Sequence, residues 1–342
     1  MKIKLLDGKE WDRVEILEQM LNDEFYYGYL GKAALSSSSL KKLLQSPKAY
    51  QASLNEEQVE SKPLREGKLI HLLLLEPHKE ESLHIVDVKA RTAKAYKDAA
   101  LEYGPENTFT AVEIATAKKV ARAVKDCPEA YDMIYGAATE VPQIGNIMGL
   151  PFRCKADILH KGQRIVDLKT TGNDLSKFKY DAYSYGYDAQ AAIYTHLFGL
   201  EEFTFLVVSK STYDVGIFTT GKEFIKSGKE KVAKAIDVYR EYFQEGKPLS
   251  QYIIRDHFEW CVRCGGPALY AASMRQVVVM FLLLLRPPFF LLMNEQELLE
   301  HIANNSKALN KDYKRLKATL YPGKRKPKKR KIKRKKDAKE VF

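Results

Sequence analysis

The sequence predicts an α/β protein, a central mixed β-sheet flanked by helices, on two observations. Apolar residues recur at helical spacing over 40–54, 62–76, 111–127 and 221–245, with short extended runs rich in β-branched and aromatic residues from about 138 onwards. Their order is helices, strands, helix, strands, helix. That order suits one sheet covered by helices and places a single domain over roughly 36–250.

Each element has a local reason. After an opening segment of about 35 residues, the serine run Ser36 to Ser39 supplies an N-cap for LKKLLQSPKAYQASL, and Pro47 breaks or restarts that helix. Pro63 opens and Pro77 stops a helix over SKPLREGKLIHLLLL, whereas 86–110 is mixed and polar. AVEIATAKKVARAVKDC forms the next helix and ends before Pro128. Strands follow in TEVPQIGNIMG, LPFRCKADILH and QRIVDLKTT, the last two joined by a turn at Lys161 and Gly162. A helix over about 185–199, strands in EFTFLVVSK and DVGIFTT, and a long helix over 221–245 complete the domain.

Beyond 260 the character changes. VVVMFLLLL at 277–285 is cut by Arg286, Pro287 and Pro288, short of the ~20 apolar residues of a membrane span. A buried or subunit-contact segment at 277–293 is expected instead, then a helix over 294–320. The basic tail, KRKPKKRKIKRKK at 324–336, holds eleven of the 56 lysines and arginines; without it the formal charge of +12 falls to +1. Lys324, Arg325, Lys328, Lys329, Arg330, Lys331, Lys333 and Arg334 are thus a separate electrostatic element, either gripping DNA phosphates or solvated without a specific role. The N-terminal residues turn charged before any apolar leader core forms, so a cytoplasmic location is expected. Four scattered cysteines at 127, 154, 261 and 264 suit reduced thiols.

The chemistry lies in the strands. Asp167 and Lys169 are two apart and share a face, while a tight turn brings Asp157 on the preceding strand towards them. Two converging carboxylates suit a hard cation such as Mg²⁺ or Mn²⁺. An isolated Asp-x-Lys is more often an exposed salt bridge, and His71 in LIHLLLL reads equally as a core histidine or a ligand. Glu140 in ATEVP has two readings, an acid that approaches the site and, ahead of it, an exposed strand residue.

With its motifs in order, the chain resembles the RecB-type branch of the PD-(D/E)xK nuclease superfamily, and especially the RecE-type exonuclease VIII domain. The matches are SSSSLKKLLQSPKAY with Pro47 and Tyr50; GKLIH, Gly67 to His71; Asp157 with Asp167-Leu168-Lys169; and QAAIY, Gln190 to Tyr194. The resemblance implies a restriction-endonuclease-like core over 36–260. It implies metal ligation by His71, Asp157, Asp167 and the Leu168 carbonyl, Lys169 serving the attacking water, and Gln190 and Tyr194 positioning the DNA strand or Lys169. Both helical pairs, Gly67/His71 and Gln190/Tyr194, are one turn apart, so each can face one site. A glycine before His71 allows a close approach.

The resemblance further implies resection of the 5′ strand at double-stranded DNA ends, a recombination partner of the single-strand annealing kind, and a homo-oligomer, with a ring as one form it can take. Relatives with an iron-sulfur cluster have a cysteine where Ser46 stands and three more near the C-terminal end. With only Cys261 and Cys264 there, no cluster is expected, and a shared zinc site or two buried thiols remain open. Two rival readings stand: a related nuclease of other polarity or an endonuclease, and a DNA-binding or assembly protein that has lost cleavage.

Overall fold

The computed structural model describes residues 2–55 and 61–254, with the backbone of 260–261 and 266–267. The expected apolar segment, the 294–320 helix, the basic tail and the side chains of Cys261 and Cys264 lie outside the described residues. The chain divides into two units, Met1–Ile253 and Ile254–Phe342. Of the second, the described residues are the short strands β10 (Trp260–Cys261) and β11 (Gly266–Pro267), which pair antiparallel.

The first unit opens with β1 (Lys2–Lys4), β2 (Glu10–Asp12), α1 (Arg13–Gln19), a π-helical turn over Glu24–Tyr29 and α2 (Leu30–Ala33). Ile3, Ile16, Met20 and Leu30 bury together around Ile144. Helices α3 (Ser37–Gln45), α4 (Pro47–Ser53) and α5 (Lys62–Leu75) follow. Ser36 caps α3 in a capping box with Ser39, and Ser46 accepts from Ala49 N–H with Pro47 in the first turn of α4. Pro47 therefore restarts the helix, and Ser46 serves as its cap. Tyr50 is buried edge-on to Phe243, so this opening motif is structural.

The 86–110 region is more ordered than its composition suggests. It holds α6 (Lys94–Tyr103) between β3 (His84–Val86) and β4 (Thr108–Thr110), which pair in parallel. Arg65 of α5 organises it, donating to the Pro105 and Thr108 carbonyls with its guanidinium 4.1 Å from the Phe109 ring centroid. Helices α7 (Ala111–Lys125) and α8 (Pro128–Asp132) lead into the main sheet.

That sheet contains β5 (Ala138–Ile147), β6 (Leu150–His160), β7 (Arg164–Thr171), β8 (Glu202–Ser209) and β9 (Val215–Thr219), in that spatial order. All neighbours are antiparallel except β7 and β8, and the crossover that parallel pair needs is supplied by α9 (Phe178–Tyr185) and α10 (Tyr187–Phe198). Helix α11 (Lys222–Tyr239) ends in a π-helical turn, so the helix expected to 245 stops being α-helical after Tyr239.

Apolar clusters cover both faces of the sheet, one built with α3, α10 and α11 and the other with α5 and α7. Helices α10 and α11 approach so closely that a Cβ on Gly228 would lie 2.0 Å from the Asp188 carbonyl oxygen. Beside this crossing the buried Asp188 carboxylate accepts from Ser227 and Lys231. The fold is thus the mixed α/β architecture the sequence predicts. The opening segment joins it directly, since Leu35 N–H donates to the Pro151 carbonyl and Arg153 N–H to that of Leu35. Among the described residues, no helix is long and apolar enough to cross a membrane.

Candidate active site

The site forms where strand pairing is released. Strand β7 pairs with β8 along its whole length, Arg164↔Glu202 to Thr171↔Ser209, but with β6 only as far as Ile158↔Val166. At that point β6 loses its regular alternation: Ala156 packs into one apolar cluster, Ile158 into the other, and Leu159 returns to the first. The slip falls at Asp157. Directly opposite on β5, Glu140 adopts a positive φ of 51°, a strained conformation for a residue with a side chain.

The Leu168 amide and carbonyl face the gap and need partners. Asp157 Oδ2 accepts from Leu168 N at 2.8 Å, and His71 Nε2 lies 2.8 Å from Leu168 O. Facing a carbonyl acceptor, Nε2 carries the proton and Nδ1 is left as the imidazole's electron-pair donor, 3.7 Å from Asp157 Oδ2. The Leu168 carbonyl, expected as a metal ligand, is here the oxygen that orients His71.

Donor atoms of His71, Glu140 and Asp157 all lie within 4.8 Å of one another. Glu140 is therefore not the exposed strand residue its sequence context suggests. Burial pushes its carboxyl up to about 8, and the Asp157 charge adds to the effect. Two carboxylates and an imidazole meet the donor chemistry of a hard divalent cation, which would also offset the Asp157 charge that adds to the rise. These residues fit Mg²⁺ or Mn²⁺.

Asp167 adjoins this triad. It is 1% exposed, with Oδ1 accepting from Gln190 Nε2 at 2.6 Å and Oδ2 ion-paired to Lys169 Nζ at 2.7 Å. Oδ2 has no hydrogen bond of good geometry in addition. Burial raises the Asp167 carboxyl above the usual carboxylate range; Lys169 opposes the rise and Asp157 adds to it. Burial works against the Lys169 charge, but Asp167 and Asp157 outweigh it and hold the ammonium above its ordinary range. Lys169 also lies 4.8 Å from the centroid of the Tyr187 ring.

The structure brings His71, Asp157, the Leu168 carbonyl, Asp167, Lys169 and Gln190 together. Tyr194 stands apart. It is buried, and its hydroxyl donates to the Lys155 carbonyl at 3.1 Å, so it braces β6 instead of offering a surface to DNA. Gln190 fixes Asp167, not Lys169. Gly67 is less constrained than expected, because an added Cβ would meet only Thr170 Oγ1, at an ordinary 3.7 Å.

Glu140 was discoverable from sequence by register. Met148 and Gly149 both have positive φ and close a hairpin in which Ile147 faces Leu150. Counting back along both strands from that turn puts Glu140 opposite Asp157.

These features define the PD-(D/E)xK nuclease fold with its acidic and lysine positions filled. A family profile agrees: residues 36–250 match the PDDEXK-like domain of unknown function (DUF3799), and the chain belongs to that family. No curated protein sequence matches the chain. Among solved structures, a presumptive exonuclease from Eubacterium rectale superposes with a TM-score of 0.52 at 17% identity, covering 70% of this chain and 96% of that one. It shares the fold. Weaker superpositions are found with a phage-related exonuclease from Haemophilus somnus 129PT (TM-score 0.28, 15% identity, 62% of this chain and 96% of that one). An alkaline exonuclease from Laribacter hongkongensis gives a TM-score of 0.29 at 13% identity over 66% of this chain and 97% of that one.

Proposed function

We propose that the chain is a divalent-metal-dependent deoxyribonuclease acting on DNA ends. The observation that carries this reading is the His71–Glu140–Asp157 donor group beside the buried Asp167–Lys169 pair. His71, Glu140 and Asp157 would hold Mg²⁺ or Mn²⁺, with Asp167 as the adjoining acid. The ion would polarise the phosphodiester and lower the pKa of the attacking water.

The chain's own residues do the rest. Lys169, held as an ammonium, donates to the attacking water or to a phosphate oxygen, so it orients and neutralises charge instead of acting as the base. Gln190 fixes the Asp167 carboxylate that aims Lys169. His71 is kept in one tautomer by the Leu168 carbonyl.

The RecE resemblance supports a finer reading: exonucleolytic resection of the 5′ strand in the cytoplasm, leaving 3′ overhangs for a single-strand annealing recombination partner, by a homo-oligomer with basic tails on the DNA. The test is digestion of linear duplex labelled at the 5′ or the 3′ end, in Mg²⁺ or EDTA, by the wild type, Asp167→Ala and Lys169→Ala. Metal-dependent loss of the 5′ label that both substitutions abolish is the expected result. Loss of the 3′ label alone reverses the polarity, and intact DNA throughout favours a protein that only binds.

A further inference from the structure

A chain of tyrosines leads outward from the catalytic lysine. Lys169 Nζ sits 4.8 Å from the Tyr187 ring centroid, the Tyr187 and Tyr185 rings are 5.7 Å apart, and Lys41 Nζ lies 5.5 Å from the Tyr185 centroid. Tyr187 is partly buried, whereas Tyr185 is 49% exposed. On α9, Tyr180 and Tyr183 are also exposed, at 78% and 45%, and Lys177 and Lys179 stand in solvent beside them. Gly186, in the left-handed region at φ 76°, makes the sharp junction between α9 and α10 that lets the Tyr185 and Tyr187 rings lie together.

Single exposed tyrosines need no explanation, but this row begins at the reactive centre and has a cation over a ring at each end. Flat aromatic faces between lysines are the combination that holds single-stranded nucleic acid: rings stack on bases of any sequence while ammonium groups attract the backbone. A base inside a duplex is already stacked and does not offer its face to a side chain.

We propose that Tyr185, flanked by Tyr187 and Lys41, stacks on an unpaired base of the strand being cut, so the site engages DNA whose end is single-stranded or frayed. This specifies the substrate of the nuclease proposed above and rests on that reading. Tyr185 is a positioning residue, removed from the reacting atoms by Tyr187.

The test measures binding of fluorescein-labelled oligo-dT to the full chain by anisotropy, with Ca²⁺ replacing Mg²⁺, for wild type, Tyr185→Ala, Tyr185→Phe and Lys41→Gln. The same oligonucleotide with abasic sites is the second probe. Tyr185→Ala should weaken oligo-dT binding about tenfold or more, with an unchanged melting temperature. Tyr185→Phe should bind as wild type, because stacking needs the ring and not the hydroxyl. The abasic strand should bind wild type and Tyr185→Ala equally weakly, whereas Lys41→Gln should weaken binding of both probes by the same factor, because an ammonium attracts the backbone and not the base; a Lys41→Gln loss confined to oligo-dT would count against the proposal.

Equal binding of oligo-dT by wild type and Tyr185→Ala overturns the proposal. So does an equal loss on the abasic strand, or a self-association of the wild type that Tyr185→Ala abolishes, which would make the row a contact between copies. A wild type that binds with this Tyr185 dependence but cuts nothing in Mg²⁺ refutes the nuclease reading alone. Cleavage indifferent to Tyr185 refutes the stacking alone.

Discussion

The two edges of β7 differ sharply. Towards β8 the ladder runs unbroken from Arg164 to Thr171 and the neighbouring side chains, Val166, Leu168, Leu206 and Val208, are fully buried. Towards β6 it stops after Val166, and the backbone groups of Leu168 are satisfied by Asp157 and His71. One edge is held by main-chain pairing and apolar burial. The other exchanges main-chain pairing for side chains with reactive chemistry, supported by the rigid strand behind it. A site needs freed polar groups and fixed positions at once, and a strand paired on one edge provides both.

The sharpest way to break this comparison is at Asp157, which accepts from the Leu168 amide and belongs to the proposed cation site. Asp157→Asn keeps an acceptor for Leu168 N–H but loses the charge; DNA cleavage should fall by about a thousandfold while the melting temperature stays near wild type. Asp157→Ala should lose cleavage equally and also about 1–3 kcal/mol of stability in denaturant unfolding, because a mostly buried amide is left unpaired. Equal stabilities for the two variants would mean that the Leu168 contact is incidental.

At the paired edge the effect reverses. Leu206→Ala, at a fully buried position opposite Leu168, should cost about 2–5 kcal/mol of stability and leave cation affinity per folded molecule unaltered, as read by calorimetric titration. A large change in affinity would show that the two edges are mechanically coupled.

Gln190→Ala tests support around the site. Releasing Asp167 should lower kcat by about 10–100-fold with little loss of melting temperature. If kcat is retained, Lys169 alone fixes Asp167.

The last test is a pH dependence. Glu140 is raised from the ordinary value of 4.5 to about 8, so the folded chain keeps a proton that the unfolded chain has released. Cation-free stability should therefore decline between about pH 4.5 and 8 through this group. Added Mg²⁺ favours the carboxylate and should raise the melting temperature more at pH 8 than at pH 6. Glu140→Gln should remove the difference; an equal Mg²⁺ shift at both pH values in the wild type would place Glu140 outside the cation site.

Much of this was legible in sequence because it is written in periodicity and punctuation. LPFRCKADILH and the 150–160 strand coincide, and the helix at 62–76 ends at Leu75, just before Pro77. The 86–110 region was not, because what orders it is Arg65, distant in sequence, bonding to the carbonyls of Pro105 and Thr108. The slip at Asp157 and the positive φ at Glu140 were equally invisible, being set by neighbouring strands and not by local composition.

Sequence alone therefore determined the sheet's strands, the Asp167–Lys169 pairing on one strand face and the return of Asp157 by a tight turn, since each follows from a period of two and a short connection. Register places Glu140 opposite Asp157, but only the tertiary structure decided that it turns in to join His71, that Gln190 holds Asp167 while Tyr194 turns away into the core, and that Lys169 stays charged. Those outcomes depend on which strand edge is left unpaired and how deeply each carboxylate is buried, quantities that arise when distant segments pack together.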